Sequence, residues 1–382
     1  MRPINMLDLK AEYELFRNEI RKAVEVVLES QQFVGGPSIG ELEEALKSRL
    51  GVRDAIAVSS GTDALLCAMM VLEIGRGDEV ILPAFTFFAT GGVVARLGAK
   101  PVFVDVDERT FNLDPARVAD AITPNTRAIV AVHLFGQCAD VDGLREAAAD
   151  HEIPVIEDAC QAIEATYKKK PAGTLGEMGC FSFYPTKNLG GFGEGGLITT
   201  NSEHFAVLAR QLRHHGESSR YRHEHVGGNF RLDTMKAAIL NVKLKRLTEF
   251  TDRRRKNALL YGRFLSGSPV RAPWTREDCK HVFHQYTITC DRRDELVGFL
   301  RERGVGTGVY YPMGLHRQPC FVGGAAKSLP VTDRLCERVL SLPCHPMLAD
   351  DDVARVADLI HEFFGTTRSV DIAEKSNAQA SG

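Results

Sequence analysis

From about residue 54 onward, short Val/Ile-rich runs alternate with stretches of helical period, and this alternation restricts the possible folds more than any other feature. AIAVSS (55–60), EVILPA (79–84), KPVFVDVD (100–107), RAIVAVHLF (127–135) and PVIEDAC (154–160) read as strands. Their apolar residues are near-continuous instead of falling at every second position, as expected when both faces of a sheet are covered. TDALLCAMMVLEI and DVDGLREAAADHE carry the helical pattern between them. Together they predict an α/β fold with a mostly parallel sheet. In such sheets ligands gather at the carboxyl ends of the strands. SSGTD, PAFTF, HLFGQ and EDACQ fall at those ends.

After PVIEDAC come GCFSFY (179–184) and GGLITT (195–200), two strands with no room for a helix between them. Helical patterns from about 202 to 265 lead to a second region, with HQYTITC as a strand and RDELVGFLRERG as a helix. At 382 residues the chain exceeds what one small core organises. We therefore expect a large domain over 1–248, including an N-terminal helical segment, and a smaller α+β domain over 249–366. The tail, 367–382, is polar and aperiodic and is expected to be disordered.

Charge and cysteine content exclude several classes. A net charge of −3 supplies no basic field for nucleic acid or a membrane surface. The run RRRK (253–256) is then expected to be a solvated helix face. Nine scattered cysteines, odd in number and without a CxxC, point to a reducing cytoplasm and away from a disulfide scaffold. The N-terminal stretch lacks the apolar run of a signal peptide, and no run of about 18 apolar residues offers a membrane span.

Four constellations carry chemistry, and each has a plain structural alternative. SSGTDAL (59–65) joins a strand to a helix, where Gly61 permits close backbone approach and Thr62 adds a hydroxyl. Such a terminus binds phosphate, although the same residues also cap ordinary helices. EDACQ (157–161) sets Asp158 at the end of an apolar strand, where a carboxylate needs a donor or a cation. A protonated pyridine nitrogen would serve, and so would a purely structural partner. FSFYPTKNLGGFGEGG (181–196) holds Lys187 in a glycine-rich turn between two strands, a setting that can depress a lysine pKa. Its GFGEGG runs into a strand, so it is not the dinucleotide fingerprint, which opens a helix. PAFTFFAT (83–90) offers Phe87 either as a stacking ring or as core. A phosphate cradle, a pyridine partner, a stacking ring and an amine are the set that pyridoxal phosphate requires.

With these motifs the chain resembles the DegT/StrS-type sugar aminotransferases, a branch of the fold-type I pyridoxal-phosphate enzymes, from about residue 4 to 365. FVGGPSIGELEEAL, SSGTDAL, GDEVILPAFTFFAT, VHLFGQ, VIEDACQA, FSFYPTKNLGGFGEGG and GGNFRLD carry the resemblance. It implies that Lys187 holds the cofactor as a Schiff base and that Asp158 pairs with the pyridinium nitrogen. It further implies that Gln161 lies near the ring hydroxyl and that Phe87 stacks on the ring. Gly61, Thr62 and Ser182 would hold the phosphate, joined by Asn229 of the neighbouring subunit in a homodimer. The implied reaction moves an amino group from glutamate to a keto sugar, with a nucleotide-linked 3-keto hexose favoured over C4 or cyclitol ketones. Glu164, Lys236, Met313 and Gly314 depart from the usual pattern. A sugar dehydratase on this scaffold has His in place of the Schiff-base lysine, which Lys187 argues against. A cofactor-binding regulatory protein without turnover is a second alternative. A metal protein using HEH (223–225) and HVFH (281–284) is a third, and no carboxylate or cysteine completes such a site.

Overall fold

In the computed structural model the described residues are 2–321 and 328–368. The tail expected to be disordered lies, from residue 369 on, outside them. The central sheet has seven strands: β1 (Asp54–Val58), β2 (Glu79–Pro83), β3 (Lys100–Val104), β4 (Thr126–Val132), β5 (Val155–Asp158), β6 (Met178–Ser182) and β7 (Gly196–Thr200). Their spatial order is β1-β7-β6-β5-β4-β2-β3. From β6 to β3 the neighbours are parallel, whereas β7 runs against both β6 and β1. The missing helix between the last two strands forces that reversal.

Successive strand residues feed opposite cores, which explains the unbroken apolar runs. Ala55 and Ala57 join Ile81, Ile129, Ala131 and Phe181 on one face. Ile56 and Val58 join Val80, Leu82, Val130 and Ile156 on the other. Each fully buried Val or Ile contributes about 1.5–3 kcal/mol of transfer free energy.

A second core lies toward the C-terminus. Tyr286–Thr289 pairs antiparallel with Val339–Leu342, and helices Arg293–Glu302 and Asp350–Phe364 pack around them. Tyr261, Leu296, Leu300, Val356 and Ile360 fill the centre. Ile4 belongs to the same core, and its N–H and C=O bond Gly304 O and Gly306 N, both at 2.8 Å. The helix Leu247–Phe264 joins the two cores. Leu247 is in the sheet core, Phe250 packs with Phe16 and Ile20, and Ala258 and Tyr261 lie in the second core.

The expectation that RRRK is a solvated face fails at Arg254, which is only 4% exposed. Its Nη1 donates to the carbonyls of Cys344 (3.0 Å) and His284 (3.4 Å), while Lys256 stays at the surface. Helical rotation turns one residue of the run into the joint between the cores, where carbonyls replace water around the guanidinium. Among the described residues no helix is long and apolar enough to cross a membrane.

Candidate active site

A cavity of about 570 Å³ opens at the carboxyl ends of the parallel strands. Gly61, Thr62, Phe87, Asp158, Gln161, Ser182 and Lys187 all line it. One edge of it is the first turn of the helix Gly61–Val71, where N–H groups lack carbonyl partners within the helix, a setting suited to a phosphate. Ser60 Oγ accepts from Asp63 N–H (3.0 Å), and Asp63 in turn accepts from the hydroxyls of Ser59 (2.6 Å) and Ser60 (2.9 Å). A Cβ on Gly61 would lie 2.7 Å from Ser182 Cβ and 2.8 Å from Cys160 Sγ. Only glycine lets this turn settle against the end of β6.

Asp158, the last residue of β5, is buried. Thr90 Oγ1 donates to its Oδ2 (2.7 Å) and Cys160 N–H to its Oδ1 (3.3 Å). These two donors aim the carboxylate into the cavity and offset part of its desolvation. Gln161 is equally constrained, since its Oε1 accepts from Phe135 N–H (2.8 Å) and its Nε2 donates to Tyr311 OH (3.1 Å). Phe87, 56% exposed, offers a ring face 6.3 Å from the ring of Tyr311.

Among the described residues Lys187 is the one basic side chain of the lining apart from His284. Its backbone N–H bonds Tyr184 O (2.9 Å) in the turn from β6 to β7. Burial pushes its pKa below the ordinary lysine value, against the opposing pull of Cys160 and Asp158. Asn229 does not line the cavity of its own chain; it is exposed and bridges His214 on the surface.

Tyr310, Tyr311, His284 and Gln285 also line the cavity, and the sequence reading assigned none of them a place there. HVFH was weighed only as a metal pair. His284 Nδ1 instead sits 3.3 Å from Asn188 Oδ1. Burial, with Lys187 and Arg254 adding positive charge, pushes the His284 pKa well below its ordinary value. His281 is pushed down to about 3 by burial, and His223, Glu224 and His225 are on the surface. Among the described residues no group of three or more His, Cys, Asp or Glu side chains is arranged to hold a metal.

The departures from the family pattern have local explanations. Glu164 adopts φ +67°, a conformation that favours glycine, and is held there by Arg49 and Thr248 (2.6 Å). Lys236 pairs with Asp233 (2.9 Å), and its stem lies against Gly193 of the glycine-rich loop. Gly314 leaves room for Thr332 and His316, which a Cβ would approach within 2.6 and 2.7 Å. Nothing in the structure explains Met313.

Residues 15–361 match the profile of the DegT/DnrJ/EryC1/StrS aminotransferase family. The chain belongs to this family. Like other DegT/DnrJ/EryC1/StrS aminotransferases, it is a sugar aminotransferase that depends on pyridoxal phosphate. It is 44% identical to the UDP-2-acetamido-2-deoxy-3-oxo-D-glucuronate aminotransferase of Pseudomonas aeruginosa, over 90% of this chain and 96% of that one. It is also 44% identical to a pleiotropic regulatory protein of Geobacillus stearothermophilus, over 94% and 98% of the two chains. Among solved structures it superposes on S. venezuelae DesV, crystallised with a ketimine intermediate, with a TM-score of 0.92 and 40% identity. That match covers 95% of this chain and 99% of the other. The residues present fit the cofactor. The close approach at Gly61 leaves a turn that can cradle a phosphate, the desolvated Lys187 amine is suited to condense with an aldehyde, and the aimed Asp158 can meet a ring nitrogen.

Proposed function

We propose that the enzyme moves an amino group from glutamate to C3 of a nucleotide-linked keto hexose. The observation that carries the reading is the desolvated Lys187, the cavity's lone lysine among the described residues, facing an Asp158 carboxylate already aimed by two donors. Lys187 would hold the cofactor through its amine, and its Nζ would carry a proton to and from the substrate carbon. Asp158 keeps the pyridine nitrogen protonated, because a neighbouring carboxylate favours the charged form. Gln161 fixes the ring hydroxyl, Phe87 covers one ring face, and Gly61, Thr62 and Ser182 hold the phosphate. The bound cofactor supplies an electron sink for the bond that breaks at the substrate carbon. The Pseudomonas relative, whose name specifies a 3-oxo sugar, supports the C3 assignment. The nine cysteines, all free, support a reducing cytoplasm.

The test is a panel of 3-keto and 4-keto nucleotide sugars offered with glutamate, with the product placed by NMR. The expected product carries nitrogen at C3, with 2-oxoglutarate formed in equal amount. An amine at C4 would overturn the position, and another amino donor would overturn glutamate. The name of the Geobacillus relative raises a second reading, a cofactor-binding regulator. Absence of any glutamate-driven change in cofactor absorbance would favour that reading.

We further propose a homodimer in which Asn229 crosses to the partner's phosphate cradle. Its exposure and its absence from its own cavity support this placement. Losing one hydrogen bond to a charged group should weaken cofactor binding about ten- to hundredfold in Asn229→Ala. Mixing these subunits with Lys187→Met subunits should restore about a quarter of the parental activity at limiting cofactor, because half of randomly paired dimers hold one complete site of two. Proven subunit exchange without recovered activity would confine Asn229 to its own chain.

A further inference from the structure

Directly behind Asp158, on the opposite face of the sheet, lies a pair that no step above uses. His133 and Glu157 are both fully buried, and His133 Nε2 is 2.7 Å from Glu157 Oε2. The Glu157 carboxylate also accepts from the N–H groups of Gly173 (2.7 Å), Leu175 (2.6 Å) and Gly176 (2.6 Å). His133 Nδ1 accepts from Ala139 N–H (3.0 Å), so in the neutral ring Nε2 must carry the hydrogen that points at Glu157. The backbone N–H of His133 bonds Asp158 O (3.0 Å). The pair thus ties β5 to two loops, 173–176 on one side and 133–139 on the other. The second loop presents the Phe135 N–H that orients Gln161. Phe135 itself has φ +57°, a strained setting that must be held from outside.

We propose that His133 and Glu157 are positioning residues, which hold Asp158 and Gln161 at the separation and angle that the cofactor ring requires. This rests on the roles proposed above for those two residues. A carboxylate suits the place because it is acceptor-only, and four fixed donors converge on it. The imidazole suits its place because it accepts at one end while donating at the other, linking two loops rigidly.

Asparagine and glutamine separate the two ends of the imidazole. His133→Asn keeps an acceptor near the Nδ1 position and drops the donor to Glu157. His133→Gln keeps a donor near the Nε2 position and drops the acceptor for Ala139. In cofactor-saturated enzyme, His133→Asn should lower kcat about tenfold or more and leave both KM values within about twofold, since its effect falls on Asp158. His133→Gln should loosen the loop 133–139, raising amide exchange at Phe135 and Ala139 in the cofactor-free chain and weakening cofactor binding by equilibrium dialysis. Because the action runs through Asp158, His133→Asn should add little further kcat loss in an Asp158→Asn background. Additive losses in that cycle, or a saturated kcat within twofold of the parent in His133→Asn, would reduce the pair to a fold contact. Should His133→Asn fail to fold, Glu157→Asp, which keeps the charge and retracts it, is read in the same cycle with the same two outcomes. If Asp158→Asn by itself leaves kcat unchanged, the role of Asp158 fails instead, so the two failures are distinguishable.

Discussion

Lys187→Met should cease to turn over, yet in the cofactor-free state it should be more stable than the parent. Methionine fills the space of the lysine stem without its charge. Loss of the proton carrier removes about 10²–10⁴ in rate, and loss of the covalent attachment adds to that. The gain in stability follows from the direction of the Lys187 pKa, which burial holds below the ordinary lysine value. Burial penalises the charged form in the fold alone, so the unfolded chain binds the proton more readily. The penalty is therefore present in full below the folded pKa and disappears as pH rises to the unfolded value near about 10.4. The excess stability of the methionine variant should accordingly be largest near neutral pH and shrink toward pH 10. Thermal melts of cofactor-free protein across that range, with single-turnover absorbance at neutral pH, test both halves. Turnover near the parental rate would remove Lys187 from the chemistry. A stability difference that grew with pH would contradict its desolvated state.

Asp158→Asn should cost roughly a hundred- to ten-thousandfold in kcat, at about 1.4 kcal/mol for each tenfold, while the cofactor stays bound. An amide carries no charge with which to hold a proton on the pyridine nitrogen. Its two ends can still satisfy the local donors, because the carbonyl oxygen can face Cys160 N–H while the amide nitrogen donates to the Thr90 hydroxyl. Thr90 can rotate to accept, so the fold loses little. Gly61, Ser182 and Phe87, proposed above to hold the phosphate and the ring, line other parts of the cavity. The measurement is kcat beside the amount of cofactor retained on dialysis. A rate within a few-fold of the parent would make Asp158 structural, and loss of the cofactor would make it an anchor instead of an electronic partner.

The strands of the sheet were legible because both-face burial leaves a signal that local reading detects. AIAVSS became Asp54–Val58 and EVILPA became Glu79–Pro83, with ends displaced by a residue or two. The strand-end motifs led to the cavity for the same reason. What sequence reading missed depends on chain segments that meet only in three dimensions. Gln285 and Val282 bond back to Phe135 (3.3 Å) and Gly136 (3.0 Å), which carries His284 to the cavity wall from far along the chain. No periodicity within HVFH encodes that return. Arg254 was misread because a charge run was taken as one object, although neighbouring helical residues point about 100° apart. Glu164 could be marked as unusual from the resemblance, but its tether to Arg49 and Thr248 joins three distant parts of the chain.

The attachment of Ile4 to Gly304 and Gly306 has a consequence for biosynthesis. At about 5–20 residues per second, the ribosome releases the partners of Ile4 roughly 15–60 s after Ile4 itself. By the end of that interval the sheet core, built from residues between Leu42 and Val282, has all its parts, whereas Ile4 has only just gained its partners. Ile4, made before either core, is therefore among the last residues to find its place. Arg2, which reaches Asp352 at 2.6 Å, waits longer still.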